Sequence, residues 1–95
     1  MTAMLRHAGY WIRRLANPPS LVIRIENGTA RPTKGTPPPG FVGACNDVAR
    51  DFGIDSGYVE VVPRMHGATL RFSPDIRRDS HQRFRNVWGA VRPKG

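Results

Sequence analysis

Apolar residues near the start of the chain recur at the spacing of one side of an α-helix. The residues of this stripe are Met4, Leu5, Ala8, Trp11, Ile12 and Leu15. Arginines lie mostly off the stripe, and Pro18-Pro19 ends the pattern because proline cannot continue the helical hydrogen bonds. The pattern predicts a basic amphipathic helix over residues 3–16, within an N-terminal segment that spans residues 1–17.

A period of two replaces the helical spacing after this segment and predicts a β-hairpin. Apolar side chains alternate with their neighbours over residues 21–26, as in a strand with one buried face. Asn27-Gly28 follows, and this dipeptide favours a two-residue hairpin turn because both of its positions tolerate a positive φ. The returning strand covers residues 29–34, and Pro32 predicts that it lies at an edge of the sheet or carries a bulge.

Helical spacing returns over residues 41–52, and Gly53 is suited to end that helix in a left-handed conformation. Strand periodicity then appears again over residues 58–64 and 68–72, separated by a short turn. Ser73, followed by a proline, matches the N-cap of a last helix, and helical apolar spacing continues after it. A hairpin followed by a helix is therefore predicted twice.

These elements predict an α+β fold in which a duplicated β-hairpin–helix unit, ββαββα, forms a four-stranded antiparallel sheet. The two helices cover one face of the sheet, and the N-terminal amphipathic helix is an addition to this unit. We expect a single α+β domain over residues 18–91, followed by a frayed tail at residues 92–95.

The chain is strongly basic for its length. Among its 95 residues, 15 Lys and Arg face seven Asp and Glu, which gives a formal net charge of +8 at pH 7. Most of the basic residues are arginine, whose guanidinium group binds phosphate or carboxylate through two parallel hydrogen bonds. Codon usage in a GC-rich genome is an alternative explanation for the excess of arginine over lysine. It does not account for the net charge, which indicates a polyanionic partner.

The residues give little support for a catalytic or metal-binding function. His7, His66 and His81 lack the spacing of metal ligands, and Cys45 lies at an apolar position of a predicted helix. We therefore expect no enzymatic activity, no cofactor and no metal. A single cysteine forms no internal disulfide, and no apolar run is long enough to span a bilayer. These features predict a cytoplasmic location, either free or associated with the inner face of the membrane.

Several blocks of the second half and the middle of the chain are distinctive. They are Gly35, Pro38-Pro39-Gly40-Phe41, Cys45, Val48-Ala49-Arg50, Leu70-Arg71-Phe72-Ser73, Asp75-Ile76 and Gln82-Arg83-Phe84-Arg85-Asn86-Val87-Trp88. Together they resemble a family of small bacterial proteins known as a domain of unknown function, family 3634, over about residues 21–90. The resemblance implies no activity. Many members of that family look as though they begin with a transmembrane segment, where this chain has the basic amphipathic helix.

Two surfaces are candidates for contact with nucleic acid. One is the sheet face opposite the helices, where the ring of Tyr58 is available for base stacking. The arginines of this face, which offer phosphate contacts, are Arg24, Arg31, Arg64 and Arg71. The other is the last helix, whose polar side chains are types that hydrogen-bond phosphates and base edges. Its candidate residues are Arg78, Gln82, Arg83, Arg85 and Asn86. The alternatives are a solvated sheet face, with Glu26 and Glu60 paired to arginines, and polar helix residues that hold loop carbonyls.

The N-terminal helix has three open interpretations. Its apolar side lies in a membrane interface, packs within the fold, or pairs with a second copy of the chain. The residues that would make a membrane or partner contact are Leu5, Trp11, Ile12 and Leu15. The sequence as a whole predicts a non-enzymatic binding module for a polyanion, and for nucleic acid in particular. The alternative is a peripheral membrane or protein-interaction module that uses this helix.

Overall fold

The structure, a computed structural model, describes residues 2–92, with the side chains of residues 9–92. The helices are α1 (Thr2–Ala16), α2 (Phe41–Phe52) and α3 (His81–Val91), and the strands are β1 (Leu21–Glu26), β2 (Thr29–Lys34), β3 (Ser56–Arg64) and β4 (Gly67–Phe72). The strands form one antiparallel sheet in the order β2-β1-β3-β4. The fold is therefore α+β, as predicted, with a four-stranded sheet and three helices, of which α1 precedes the strands.

Local turn chemistry explains the first hairpin. Asn27 and Gly28 have φ angles of 53° and 76°, which is the left-handed backbone that the tight turn between β1 and β2 requires. Pro32 lies in β2, which is an edge strand as predicted. The pairing with β1 also shifts register between Val22 and Ile23, opposite this part of β2. Proline has no N–H to donate to the ladder, so the irregularity falls where the ladder is already weakened.

The main core lies between the sheet and the helices α2 and α3. Ile23 and Ile25 of β1 pack in one buried cluster with Phe41 and Cys45 of α2 and with Phe84 of α3. Phe41, Cys45 and Phe84 have no exposed surface. Burial raises the pKa of the Cys45 thiol to about 12, so the sulfur stays protonated and acts as a small apolar group.

The predicted start of the last helix at Ser73 is wrong. The helix α3 begins at His81, after a single 3₁₀ turn at Arg78–Ser80. Instead of capping a helix, the Ser73 hydroxyl accepts a hydrogen bond from the Tyr58 N–H at 2.8 Å, and the Ser73 N–H donates to the Tyr58 carbonyl at 3.0 Å. These bonds extend the pairing of β4 with β3 by one residue. As a result, Arg77 and Arg78 lie outside α3, beside the end of β4.

The loop between β4 and α3 is fixed by a contact that requires glycine in β3. Gly57 has a φ of 146°, and a Cβ at this position would collide with Ile76 Cδ1 and lie 2.9 Å from Ile76 Cγ1. Gly57→Ala is therefore expected to lower the free energy of unfolding by about 2 kcal/mol, measured by urea denaturation. Gly67→Ala is the control, because Gly67 has a φ of 121° with no atom within 4 Å of its Cβ position. Equal losses in the two variants would show that backbone strain, rather than the Ile76 contact, decides the effect.

No helix in the described part of the chain is long and apolar enough to cross a membrane. Of the predicted tail, residues 93–95 lie outside the described residues, and so does the side chain of Leu5.

Candidate functional site

The face of the sheet opposite α2 and α3 is partly covered by α1. The Tyr10 ring is 6% exposed and lies stacked near Tyr58 of β3, with 6.4 Å between the ring centroids. Trp11 approaches the same Tyr58 ring edge-on at 6.0 Å. The helix α1 therefore packs on the sheet mainly through Tyr10, which lies off the predicted stripe, and Trp11 is the stripe residue that reaches Tyr58. The predicted apolar stripe is only partly used, since Ile12 and Leu15 remain exposed.

A buried carboxylate joins α1 to the sheet. Glu60 of β3 has no exposed surface, and its neighbour across the ladder is Arg71 of β4. Arg71 Nε lies 2.8 Å from Glu60 Oε1, and Arg14 Nε of α1 lies 2.8 Å from Glu60 Oε2. Two guanidinium groups therefore flank one carboxylate, which offsets the cost of burying that charge. We call Glu60, Arg14 and Arg71 the Glu60 cluster, and its net charge is positive.

Arg71 also binds the end of α1 directly. Its Nη1 donates to the Arg13 carbonyl at 3.0 Å, and its Nη2 donates to the Asn17 carbonyl at 2.9 Å. The Arg13 carbonyl also accepts the Asn17 N–H at 2.8 Å. The C-terminal end of a helix attracts positive charge, so the contact with Arg71 stabilises the last turn. The Arg71 side chain, expected on an open sheet face, is only 12% exposed.

Burial and the neighbouring charges together set the protonation state of Tyr10. Burial is the main cause that raises the pKa of the Tyr10 hydroxyl, and the negative charge of Glu60 raises it further. The nearby Arg14 and Arg71 oppose this shift without cancelling it. Tyr10 is therefore neutral at physiological pH and contributes a polar but uncharged wall to the space beside α1.

A groove of about 670 Å³ lies between α1 and the loop that follows β4. Arginines from three parts of the chain line it, namely Arg13 of α1, Arg71 of β4, and Arg77 and Arg78 of the loop. A second groove of about 410 Å³ shares Arg13 and Arg71 and reaches Arg64 at the end of β3. These five arginines follow the edge strand β4, and we call them the basic track.

Aromatic side chains lie at the α3 end of the basic track. His81 stacks on Phe72 with 3.9 Å between the ring centroids and 15° between the ring planes. The Arg85 guanidinium lies 5.6 Å from the centre of the same Phe72 ring. Burial lowers the pKa of His81, the contact with the Ile76 carbonyl opposes this, and the charges of Arg85 and Arg78 reinforce it. The imidazole is thus held as a neutral ring next to cationic groups.

The remaining candidate residues lie elsewhere or are already paired. Arg24 is 3.6 Å from Glu26 and 5.8 Å from the centre of the Tyr58 ring. Arg83 Nη2 lies 2.9 Å from Asp51 Oδ2 on α2. Gln82 and Asn86 are exposed and bond to each other at 2.9 Å, one turn apart on α3.

The structure thus brings together Arg71 and Arg78 from the two surfaces considered separately in the sequence, with Arg85 close to the end of the track. It adds Arg13, which the residue pattern did not single out, and Arg64, which was expected on the sheet face opposite the helices. Their basic character was visible, but their position beside β4 depends on how α1 and the second hairpin pack. Asp75 also lines the larger groove and is not without a partner.

Comparison with known proteins gives a family but no characterised relative. No curated protein and no solved structure matches the chain. The sequence profile of DUF3634, described as a protein of unknown function, matches residues 11–95. The matched region contains the Glu60 cluster and the basic track in full. The chain therefore belongs to DUF3634, a protein family of unknown function.

Proposed function

We propose that this protein is a non-enzymatic module that binds a polyanion, and specifically nucleic acid, along the basic track. The observation that carries the proposal is the convergence of Arg13, Arg64 and Arg78 around the paired Arg71 on one edge of the sheet. These residues come from α1, β3, β4 and the following loop, so the fold concentrates charge that is dispersed in the sequence. The edge strand β4 has six residues, which corresponds to roughly 20 Å of positive surface.

The distribution of acidic side chains supports the same surface. Five of the seven lie no more than 3.6 Å from an arginine nitrogen, and they are Glu26, Asp47, Asp51, Glu60 and Asp79. Within the described part of the chain, Arg13, Arg64, Arg78 and Arg85 have no such carboxylate partner. Part of the excess positive charge is therefore available on and beside the basic track, where phosphates can act as its counterions.

If the track contacts phosphates alone, nucleic acid is bound without base specificity. Arginine fork geometry matches phosphate oxygens, and a positive groove follows a nucleic-acid backbone whatever its sequence. Phe72 and His81 are already stacked on each other, so they provide an apolar border to the track rather than two free platforms for bases. Binding is expected to be electrostatic in character, with little preference among base sequences.

Salt dependence is the first test of the proposal. Neutralising about four phosphates gives a log–log salt slope of about −3 for single strands and about −3.6 for duplex. Affinity for a labelled oligonucleotide should then fall roughly 50- to 150-fold between 50 and 200 mM salt. Fluorescence anisotropy with single-stranded and duplex oligonucleotides measures the affinity at each salt concentration and hence the salt slope. Absence of binding to either form at 50 mM salt, or a salt effect below about threefold, would contradict the proposal.

A further inference from the structure

One side of α1 is apolar and is left uncovered by the sheet, with Trp11 at its border because one edge of that ring meets Tyr58. Trp11, Ile12 and Leu15 are 43%, 66% and 85% exposed. Trp11, Leu15 and Pro18 also line a groove of about 360 Å³, which ends at Lys34 on the edge strand β2. Tyr10 and Arg14 fix the opposite side of α1 to the sheet, so this apolar side cannot turn inward without breaking the Glu60 cluster.

Positive charge borders this apolar surface on the side of β2. The first 25 residues contain four arginines and no acidic residue, and Glu26 is the first carboxylate in the sequence. Lys34 borders the groove, and Arg31 is exposed on the same edge strand. A surface that combines exposed apolar side chains, a tryptophan and basic residues is suited to the boundary between anionic headgroups and acyl chains.

We infer that this side of α1 docks on an anionic lipid surface, with Trp11, Ile12 and Leu15 entering the headgroup region. The helix has 15 residues, so its length of roughly 22 Å is suited to lying along the surface. The folded domain then remains on the aqueous side, with the sheet held above α1 by Arg14 and Tyr10. This surface is distinct from the basic track, and the inference does not rest on nucleic-acid binding.

Charge also argues against a second copy of the chain as the occupant. A symmetric dimer would place the same patch of each copy against the other. The basic residues that border the apolar surface, such as Lys34, would then approach like charges across the interface, which disfavours association. An anionic lipid surface buries the apolar side chains and neutralises the basic residues beside them.

Vesicle binding by the full chain tests the inference, with vesicles of phosphatidylcholine alone or mixed three to one with phosphatidylglycerol. The wild type should prefer the anionic vesicles by roughly tenfold or more. The double variant Ile12→Ser/Leu15→Ser should lose roughly tenfold or more of that binding. Met65→Ser is the control, because Met65 is 92% exposed in the turn between β3 and β4 and lies away from α1. Its vesicle binding should equal that of the wild type.

Tryptophan fluorescence locates the contact. The chain has two tryptophans, so Trp88→Phe leaves Trp11 as the single reporter. Its emission should shift to shorter wavelength with anionic vesicles and be quenched by brominated acyl chains. Equal binding to neutral vesicles, no binding to either vesicle, or unchanged binding by the double variant would overturn the inference. A lipid-free dimer that the double variant converts to monomer would assign the surface to a second copy and also overturn it.

Discussion

Replacing Glu60 with glutamine is expected to lower the free energy of unfolding by about 3 kcal/mol. Glu60 is fully buried, with Arg71 and Arg14 each at 2.8 Å from one of its oxygens. Glutamine keeps the shape but removes the negative charge, so two guanidinium groups remain close together without a counterion. Urea denaturation at neutral pH, followed by circular dichroism, measures the loss.

Glu26→Gln is the matched control for this variant. Glu26 is also a glutamate on a strand next to an arginine, but its side chain is 53% exposed and lies 3.6 Å from Arg24. An exposed pair of this kind contributes less than about 1 kcal/mol, because water and salt screen the charges. Similar midpoints for the wild type and Glu60→Gln would contradict the structural role assigned to the buried carboxylate.

The effect of Glu60→Gln should be greatest at α1. Arg71 binds both Glu60 and the carbonyls of Arg13 and Asn17, so loss of the carboxylate weakens the attachment of the helix to the sheet. Hydrogen exchange should therefore increase in α1 before it increases in α2, which packs in the main core. Uniform acceleration across both helices would show that Glu60 supports the whole domain rather than this attachment.

Reversing two charges on the basic track has the largest effect expected on binding. The double variant Arg13→Glu/Arg78→Glu should weaken nucleic-acid binding by roughly 100-fold, because each charge-assisted contact contributes about 1.5 kcal/mol or more. Both side chains are exposed and line the larger groove, so the substitutions leave the core intact. The salt slope should also become shallower by about two, since two fewer phosphates are neutralised.

The double variant Arg31→Glu/Lys34→Glu separates a site from a simple effect of net charge. It makes the same change in total charge, and both residues are exposed on β2, at the opposite edge of the sheet from β4. Its nucleic-acid affinity should fall by less than about tenfold, through long-range electrostatics alone. Equal losses in the two double variants would show that binding depends on overall charge, and the basic track would then not be the site. Urea denaturation of both variants checks that the fold is retained.

Local patterns predicted most of the fold correctly. The residues predicted for β1, β2 and α2 agree with the bounds Leu21–Glu26, Thr29–Lys34 and Phe41–Phe52. Asn27 and Gly28 form the turn between β1 and β2, and Gly53 ends α2. The positive φ angles of these three residues depend on each residue's own backbone preferences. Where periodicity and turn chemistry agree over a few residues, the sequence is sufficient to predict an element and its ends.

The start of α3 shows where local patterns fail. Ser73 and the proline after it form a good capping pattern, yet the Ser73 hydroxyl bonds to the Tyr58 backbone 15 positions away. A capping motif and a strand extension use the same hydroxyl, and the sequence alone does not decide between them. In the folded chain the strand extension forms, and Ile76 packs against Gly57 in the loop that follows.

Some features of the candidate site also follow from the sequence, and others follow only from the tertiary structure. The sequence by itself determined the net charge, the supply of arginine, the four strands and the apolar stripe of α1, because composition and periodicity are local properties. Only the tertiary structure decided which arginines remain available, because Arg24 and Arg83 meet carboxylates while Arg78 meets none among the described residues. It also decided which side of α1 is covered, since the buried charge of Glu60 draws Arg14 inward and leaves Leu15 exposed. A buried carboxylate needs partners for both oxygens, and in this fold the second partner comes from α1.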